Sequence, residues 1–552
     1  MKHFKKFFSY LVALTMVLSL AAFTGVKVHA EDGYKLTIKN SDGSEFADGY
    51  SFAIYQILKG DVTPNEATTT TKDGKTVKTE KTLSNITWGE SVTPTAKADK
   101  DIGSDAKTFA SKLTSESAAE AMAKKLTNTP PNTPKYLTAY KATGSRSDDK
   151  KSYTFSGLPG GYYLVKDTTD NEGKTDATSR YIVEVVGDTE TVTKKSVPTT
   201  IKKVKENTKD VSGTEDAKIH DLNVGDHYND VADYDIGDQV PFELIGTLPA
   251  DYDKYGTYYY QFTDTMDSSF TLDKTSVKAY YTNDNGASWT EIKSGFSTSD
   301  SVANDDKSKN SFTVTFNDLK TATSSLSASS KIKVAFDATL NENAKIGLPG
   351  NENESYLTFS NDVNSNSHGK TAPDKVIVFT YEIDTTKVDA NNDTKTLPGA
   401  EFKIKKGSKW LKQKNSLNSW VDDEKDATTF TSNANGKFVI EGLDSGEYTF
   451  RETKAPAGYN LPANDLTATL TATTKNNQSW DETPGDALTK LELNGTEQTS
   501  KGVANQKITN DHGSNLPSTG GMGTTLLYVA GGILVACAAA YVVMSRKHST
   551  NK

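Results

Sequence analysis

Most of this 552-residue chain alternates apolar and polar side chains with a period of two. Residues 312–316, 332–336 and 466–470 each place apolar or bulky side chains on one face and mostly polar or small ones on the other. This alternation is typical of strands in antiparallel sheets with one face in water. Turn sequences such as Asn283-Asp284-Asn285-Gly286 lie between the alternating segments. The pattern predicts an all-β fold built of sandwich domains.

Three segments depart from the alternation. Residues 61–82 are rich in Thr and Lys, and residues 286–311 are rich in Ser and Asp, so we expect both to form long exposed hairpin loops. Between residues 104 and 126 the apolar residues Phe109, Leu113, Met122 and Leu126 follow a helical spacing. A helix packed on the first domain is the expectation for this segment.

The N-terminal residues carry an export signal. Lys2, Lys5 and Lys6 precede an apolar run from Phe7 to Phe23. Small residues flank His29 at the end of this segment, as a signal peptidase requires. We predict that residues 1–30 are a removed signal peptide and that the protein is secreted.

The C-terminal residues 516–552 have three parts in a fixed order. Residues 524–544 are uncharged and, at helical rise, are about 30 Å long, enough to span a bilayer core. Basic residues follow this run and are expected to stay in the cytoplasm. The segment resembles the LPXTG cell-wall sorting signal, which implies sortase cleavage between Thr519 and Gly520, transfer of Thr519 to an amine, and removal of the helix. The motif residues are Leu516, Pro517, Thr519 and Gly520.

Composition excludes several classes of function. The one cysteine, Cys537, lies in the tail that would be removed, so disulfides cannot stabilise the mature chain. A net charge of -9 argues against nucleic acid as a partner. Seven His and no Cys pairs leave no transition-metal cluster, and no cofactor motif is present. The sequence contains neither a nucleophile elbow nor a zinc signature, so no motif indicates an enzyme.

Prolines and lysine-rich strand starts set the predicted domain boundaries. Pro198 lies between two polar strands, and Pro373 precedes the strand at residues 376–379. We therefore predict an N-terminal domain at 31–197, a middle domain at 198–379 and a C-terminal domain at 380–512.

The C-terminal domain carries the most specific motifs. They are Thr386-Lys387-Val388-Asp389, Leu397-Pro398-Gly399-Ala400-Glu401-Phe402 and the stretch from Gly446 to Tyr459. The domain resembles the B-type repeat of Gram-positive collagen adhesins and pilins, and the last stretch is similar to the pilin E-box. The resemblance implies tandem immunoglobulin-like domains of collagen-adhesin A and B type. It also implies an isopeptide bond between Lys387 and Asn510, promoted by Glu452, with Asn505 as the alternative acceptor.

The chemistry of that bond explains the three residue types. A lysine amine attacks only when it is neutral, and burial lowers its pKa. Burial raises the pKa of a carboxylic acid, so we expect Glu452 to stay protonated, donate to the Asn510 carbonyl and carry protons while ammonia leaves. Because the reaction is intramolecular, positioning replaces an external enzyme.

The middle domain resembles the second shaft domain of Gram-positive pilins. The matching segments are residues 197–204, 234–242, 262–266 and 350–361. By position Lys202 is the predicted nucleophile, Asp264 the promoting acid and Asn353 the acceptor. Lys203 is the alternative nucleophile and Asn361 the alternative acceptor. Strand register decides which of the two lysines faces inward.

The first domain departs from this pattern. Its stretch from Gly157 to Asp167 is similar to a hairpin of pilin N-terminal domains, but Lys166 stands where the E-box has its Glu. We predict no isopeptide bond in this domain and expect it to unfold most easily. The family's Tyr-Pro-Lys-Asn type motif is absent, and Lys195, then Lys194, is the predicted acceptor of the next subunit.

The resemblance implies a major pilin, the backbone subunit of a covalent, peptidoglycan-anchored pilus or fimbrium. The implied partners are pilus-type and housekeeping sortases, further copies of the chain, accessory pilins and peptidoglycan. The alternative is a monomeric wall-anchored adhesin, whose partner would be a host surface ligand such as matrix or a glycan.

Overall fold

The structure is a computed structural model. It describes residues 33–549 apart from 41–42, 47, 64–70, 73–74, 77–81, 103–104, 114–115, 128–135, 139–141, 171, 175, 179, 194–195, 208–227, 364–365, 476–486 and 513–521. The chain divides into two compact units, Met1–Thr380 with Thr473–Thr489, and Tyr381–Ala472 with Lys490–Lys552.

Residues 34–192 of the first unit form a sandwich that we call the first sandwich. Its strands are β1 (Tyr34–Lys39), β2 (Phe52–Thr63), β3 (Thr71–Lys72), β4 (Lys75–Thr76), β5 (Thr82–Trp88), β6 (Gly144–Arg146), β7 (Ser152–Leu158), β8 (Gly161–Asp167), β9 (Arg180–Val185) and β10 (Thr189–Val192). One sheet has the order β10-β1-β7-β6 and the other β5-β2-β8-β9, while β3 and β4 pair with each other.

Helices cover one part of the first sandwich. They are α1 (Pro94–Ala98), α2 (Ala106–Ser111) and α3 (Glu116–Thr127). Phe109, Leu113, Met122 and Leu126 are all buried in a core cluster with residues of β2 and β8. Phe109 lies in α2, Met122 and Leu126 lie in α3, and Leu113 follows the end of α2, so the segment forms two helices rather than the single helix expected.

Residues 200–379 form the middle sandwich. Its strands are β11 (Thr200–Lys205), β12 (Tyr228–Asn229), β13 (Val231–Asp233), β14 (Gln239–Thr247), β15 (Tyr260–Asp267), β16 (Phe270–Thr282), β17 (Thr290–Ile292), β18 (Ser297–Thr298), β19 (Val302–Ala303), β20 (Lys309–Phe316), β21 (Lys331–Leu340), β22 (Asn351–Ser360), β23 (His368–Lys370) and β24 (Asp374–Phe379). The 3-10 helix Tyr252–Lys254 and helix α4 (Leu319–Ala322) connect some of them.

Strand alternation builds the core of the middle sandwich. One sheet has the order β12-β11-β14-β21-β16-β17 and the other β13-β24-β22-β15-β20-β18, with β19 on β20 and β23 on β22. Every second residue of β21 is buried, and Phe336 packs edge-on against Phe312 of β20 in the facing sheet at 5.0 Å between ring centroids. The predicted loop at 286–311 instead contains three short strands, β17, β18 and β19.

Backbone hydrogen bonds join the first and middle sandwiches within the first unit. Gly173 N donates to His368 O at 2.7 Å, Lys370 N to Lys174 O at 3.1 Å and Thr178 N to Asn361 O at 2.7 Å. We call this contact between residues 172–178 and 361–370 the junction.

Arg180, the first residue of β9, is a fully buried cation beside the junction. Its Nε lies 3.3 Å from Glu120 Oε1 of α3. Its Nη atoms donate to Thr127 Oγ1 at 2.6 Å, to Val363 O at 3.2 Å and to Lys254 O at 3.3 Å. Arginine offers five donors in a rigid plane, so one side chain can hold both sandwiches.

Asp251 lies in the same region and is 4% exposed. Neither of its carboxylate oxygens has a hydrogen-bond partner among the described residues. Burial raises the pKa of Asp251 to about 7, against the attraction of Lys254 and with added repulsion from Glu120.

The second unit holds a third sandwich, which also includes residues 473–474 and 488–489 of the first unit. Its strands are β25 (Tyr381–Asp389), β26 (Asn392–Thr396), β27 (Glu401–Lys406), β28 (Lys409–Lys414), β29 (Leu417–Val421), β30 (Phe430–Thr431), β31 (Lys437–Leu443), β32 (Gly446–Lys454), β33 (Leu466–Thr474), β34 (Leu488–Leu493), β35 (Thr496–Glu497) and β36 (Val503–Asn510), with the 3-10 helix Glu424–Asp426. One sheet is β26-β25-β31 with β36 on β25, and the other is β29-β28-β27-β32-β33-β34-β35 with β30 on β27.

Helix α5 (Met522–Ser549) contains Tyr528–Arg546, a stretch long and apolar enough to cross a membrane. The predicted all-β sandwich fold is confirmed, since strands dominate both units. The predicted three-domain division stays a prediction. The signal peptide, Lys194, Lys195 and the LPXTG residues lie outside the described residues.

Candidate functional site

The third sandwich brings Lys387, Glu452 and Asn510 together. Lys387 on β25 is fully buried and Asn510 on β36 is 2% exposed. Lys387 Nζ contacts Asn510 Oδ1 and lies 3.2 Å from Glu452 Oε2. Asn510 Nδ2 donates to Glu452 Oε1 at 2.7 Å. The amine, the carboxyl group and the amide thus touch one another in one buried site, which we call the third-sandwich trio.

Strand pairing produces this meeting. β25 and β36 run parallel, with Lys387 paired to Ile508 and Asp389 to Asn510. Glu452 enters from β32 of the facing sheet, next to Phe402 on β27. The ring centre of Phe402 lies 5.7 Å from Lys387 Nζ, so one wall of the site is apolar.

Burial shifts both titrating groups of the third-sandwich trio toward their neutral forms. Removal from water lowers the pKa of Lys387, and the neighbouring Glu452 opposes that shift. Removal from water also raises the pKa of Glu452, opposed by Lys387 and by the bond from Asn510. A neutral amine beside a proton-carrying acid is the state that amide formation needs.

The orientation of the acceptor amide corrects one expectation. Glu452 was expected to donate to the Asn510 carbonyl, but its Oε1 accepts from Nδ2, the nitrogen that would leave. Asn460 O also accepts from Nδ2, at 3.0 Å, and the two acceptors together fix the amide plane. Asn505, the alternative acceptor, is exposed and pairs with Asp384 instead of lying near Lys387.

The middle sandwich gathers a second trio, Lys202, Asp264 and Asn353. All three are buried, with exposures of 0%, 1% and 0%. Lys202 Nζ contacts Asp264 Oδ2. The Asn353 amide lies close enough to Asp264 to lower the pKa of its carboxyl, although among the described residues neither amide atom makes a hydrogen bond of regular geometry.

This middle-sandwich trio connects two sheets. Lys202 lies on β11, whereas Asp264 on β15 and Asn353 on β22 belong to the facing sheet. The rings of Phe242 and Phe336 have their centres 5.2 and 5.3 Å from Lys202 Nζ. Burial lowers the pKa of Lys202, opposed by Asp264, and raises the pKa of Asp264, opposed by Lys202.

The alternative residues occupy other places. Lys203, 1% exposed, points away from Asp264 and contacts Asp230 Oδ1 in a buried ion pair. Asn361 Nδ2 donates to Asp176 O at 3.0 Å, at the junction. Sequence reasoning missed Asp230, because no motif marks it.

The first sandwich has no equivalent trio among its described residues. Every lysine between residues 33 and 192 whose side chain the structure describes is at least partly exposed, including Lys166 on β8. Asp167, the next residue, is buried. An exposed lysine keeps a solvated ammonium group, which is no nucleophile.

The third sandwich is similar to a known protein domain. Residues 381–484 match the family model of the SpaA prealbumin-like fold domain. The chain is similar to the trypsin-resistant surface T6 protein of Streptococcus pyogenes serotype M6, at 26% identity over 275 residues. The match covers 39% of this chain and 48% of the relative, so the chain spans about half the length of the curated relative it matches.

Two solved structures of streptococcal proteins are similar to this chain. The T6 backbone pilin of serotype M6 Streptococcus pyogenes has 18% identity and a TM-score of 0.48, with 88% of this chain and 99% of that chain covered. A group B streptococcus pilus 2b backbone protein has 25% identity and a TM-score of 0.38, with 52% and 97% covered. With the family match, the T6 sequence similarity confirms the predicted resemblance to Gram-positive backbone pilins.

Proposed function

We propose that this chain is the backbone subunit of a covalently polymerised pilus anchored to the cell wall. The third-sandwich trio is the observation that carries the proposal, because a buried amine, acid and amide in mutual contact have little other use. The similarity to the T6 surface protein supports the same assignment.

In the proposed reaction the free amine of Lys387 attacks Cγ of Asn510. A new C–N bond forms, the Cγ–Nδ2 bond breaks, and one lysine proton passes through Glu452 to Nδ2, which leaves as ammonia. Lys202 and Asn353 react in the same way beside Asp264. Each product is an amide between strands that are distant in sequence.

These cross-links suit a shaft under tension. A strand held by hydrogen bonds of about 1 kcal/mol each can be peeled from its sheet, whereas an amide must be broken chemically. Polymerisation would join Thr519 of one copy to Lys195 or Lys194 of the next through a pilus sortase. A housekeeping sortase would attach the finished polymer to peptidoglycan, and accessory pilins would join through the same chemistry.

Intact mass tests the cross-links. Recombinant residues 31–515 should be lighter than calculated by two ammonia molecules, and Glu452→Ala or Asp264→Ala should each restore one. Lys166→Glu is the matched control, because it supplies the missing E-box acid where no buried lysine is described; its mass deficit should stay at two. A full calculated mass for the wild type would refute both bonds.

Immunoblots of cell-wall extract test polymerisation. A backbone pilin gives a ladder of high-mass species, whereas a monomeric adhesin gives one band. Replacing both Lys194 and Lys195 by Ala should remove the ladder and leave a single wall-anchored species. An unchanged ladder would show that another lysine accepts the next subunit.

A further inference from the structure

A second set of contacts lies beside the third-sandwich trio. Asp389 Oδ2 accepts from the Tyr459 hydroxyl at 2.7 Å and lies 2.9 Å from His512 Nε2. The rings of Tyr459 and His512 stack, with centroids 4.3 Å apart and planes at 28°. We call Asp389, Tyr459 and His512 the clamp. The Tyr459 hydroxyl and the Asn391 amide hold the pKa of Asp389 down to about 2, so the central acceptor is ionised at neutral pH.

The clamp ties the same three chain segments as the trio. Asp389 follows Lys387 by two residues on β25, and His512 follows Asn510 by two. Residues two apart on an extended segment lie on one face, so the clamp is the next layer on the face that carries the reacting groups. Tyr459 comes from the segment after β32, the strand of Glu452.

Backbone contacts connect the clamp to the acceptor amide. Asn460 follows Tyr459, and its carbonyl oxygen accepts from Asn510 Nδ2 at 3.0 Å. Its own N–H donates to Asp511 O at 3.0 Å, and its Nδ2 donates to His512 O at 3.2 Å. A change in the position of residues 459–460 therefore moves the acceptor of the hydrogen bond that orients the amide.

Strand register is the problem that this arrangement solves. β36 lies at the end of its sheet, parallel to β25, and a slip of two residues would leave every side chain on its original face. The alternation of faces along β36 alone therefore does not exclude such a slip. Gln506 Nε2 donates to Thr385 Oγ1 at 2.8 Å and marks the native register, but this contact lies away from the trio. The clamp closes only when Asn510 is level with Asp389.

We propose that Asp389, acting through Tyr459 and His512, is a positioning residue for the Lys387–Asn510 reaction. It fixes the register of β36 and the plane of the Asn510 amide before the amide bond forms, and it takes no part in bond making or proton transfer. This inference rests on the cross-link proposed above. A displacement of about 1 Å between reacting groups can lower a reaction rate about a hundredfold. Without the clamp β36 should leave its native register for part of the time, so we expect the cross-linking rate to fall about tenfold.

The rate of cross-linking tests the clamp. The full chain is made by cell-free synthesis, quenched with acid at timed intervals and digested, and the fraction of peptide joining Lys387 to Asn510 is measured by mass spectrometry. Asp389→Ala should slow its appearance about tenfold. Asp389→Asn, which keeps an acceptor for Tyr459, should be closer to wild type. Tyr459→Phe keeps the ring stack and loses the hydrogen bond to Asp389, so its cross-linking rate should lie between the rates of Asp389→Ala and Asp389→Asn.

Asp384→Ala is the matched control. Asp384 lies on the same strand, pairs with Lys437 at 3.2 Å and has no part in the clamp, so its variant should cross-link at the wild-type rate. Each clamp variant is also made with Lys387→Ala, and thermal unfolding of these chains, which lack the Lys387–Asn510 bond, measures the loss of folded protein. A positioning role predicts a rate loss greater than the loss of folded fraction.

The measured cross-linking rates distinguish a failure of the positioning role from a failure of the cross-link itself. Wild-type rates in Asp389→Ala, or a slowing fully explained by the lost folded fraction, would overturn the positioning role while the cross-link stands. A wild-type chain that never yields the linked peptide would overturn the proposed reaction and the clamp's role with it.

Discussion

The first and middle sandwiches differ in the kind of basic side chain that each buries. The middle sandwich buries Lys202 beside an acid and an amide. The first sandwich buries Arg180, which is held by hydrogen bonds to α3 and to two carbonyl groups of the middle sandwich. A buried lysine can lose its proton and react, whereas arginine keeps its charge and cannot. A buried amine can therefore form a covalent link between strands, whereas a buried guanidinium can join two sandwiches only through reversible hydrogen bonds.

Loss of the proposed Lys202–Asn353 cross-link should have the largest effect. On the entropy model for a closed loop of about 150 residues, Lys202→Ala should lower the free energy of unfolding by about 4 to 5 kcal/mol. Asn353→Ala should cost a similar amount, and the double variant should cost little more, because either change removes the same bond. Guanidinium unfolding measures all three, and additive losses would mean that no bond joins these residues.

Loss of the buried guanidinium should have a smaller effect. Arg180→Met leaves Glu120 and the carbonyl groups of Lys254 and Val363 without this donor, which should cost about 3 kcal/mol. Arg146→Met is the control, since its partner Asp48 has a side chain that is 78% exposed and such surface pairs contribute at most about 1 kcal/mol. If the two variants unfold at the same temperature, Arg180 does not fasten the sandwiches.

The smallest effect should come from Asp251→Asn, which we expect to stabilise the folded protein at high pH. The folded pKa of Asp251, about 7, lies above the ordinary value of 3.8, so the folded state holds its proton more tightly than the unfolded state. Its contribution to stability is complete below pH 3.8 and falls as pH rises to about 7. Asp251→Asn should match wild type at pH 3.5 and exceed it by on the order of 2 kcal/mol at pH 8. Urea unfolding at both pH values checks this, and a difference independent of pH would contradict it.

Local patterns account for much of what the sequence predicted. Alternation identified strands such as β20, β21 and β33, because each has one face in the core or beside it. Family motifs supplied Lys387, Glu452 and Asn510, which the structure brings into contact. Alternation could not separate Lys202 from Lys203, since both faces of β11 are covered at these positions.

Contacts between distant segments account for the rest. Asp230 and Lys203 meet only because β12 folds back on β11. Asp389 and His512 meet because β25 and β36 pair in parallel across more than a hundred residues. The orientation of the Asn510 amide depends on Asn460, whose backbone carbonyl carries no sequence signal.

The junction between the first and middle sandwiches has a consequence for sequence change over time. Three of its hydrogen bonds join main-chain atoms of residues 173–178 to those of residues 361–370. Main-chain donors are the same in every residue except proline, so replacements away from the two glycines of these segments leave the bonds in place. Gly173 has a positive φ and a Cβ on Gly369 would lie 2.6 Å from Lys174 O, so these two positions are restricted. Related chains can therefore diverge in the side chains of this region while the two sandwiches stay joined.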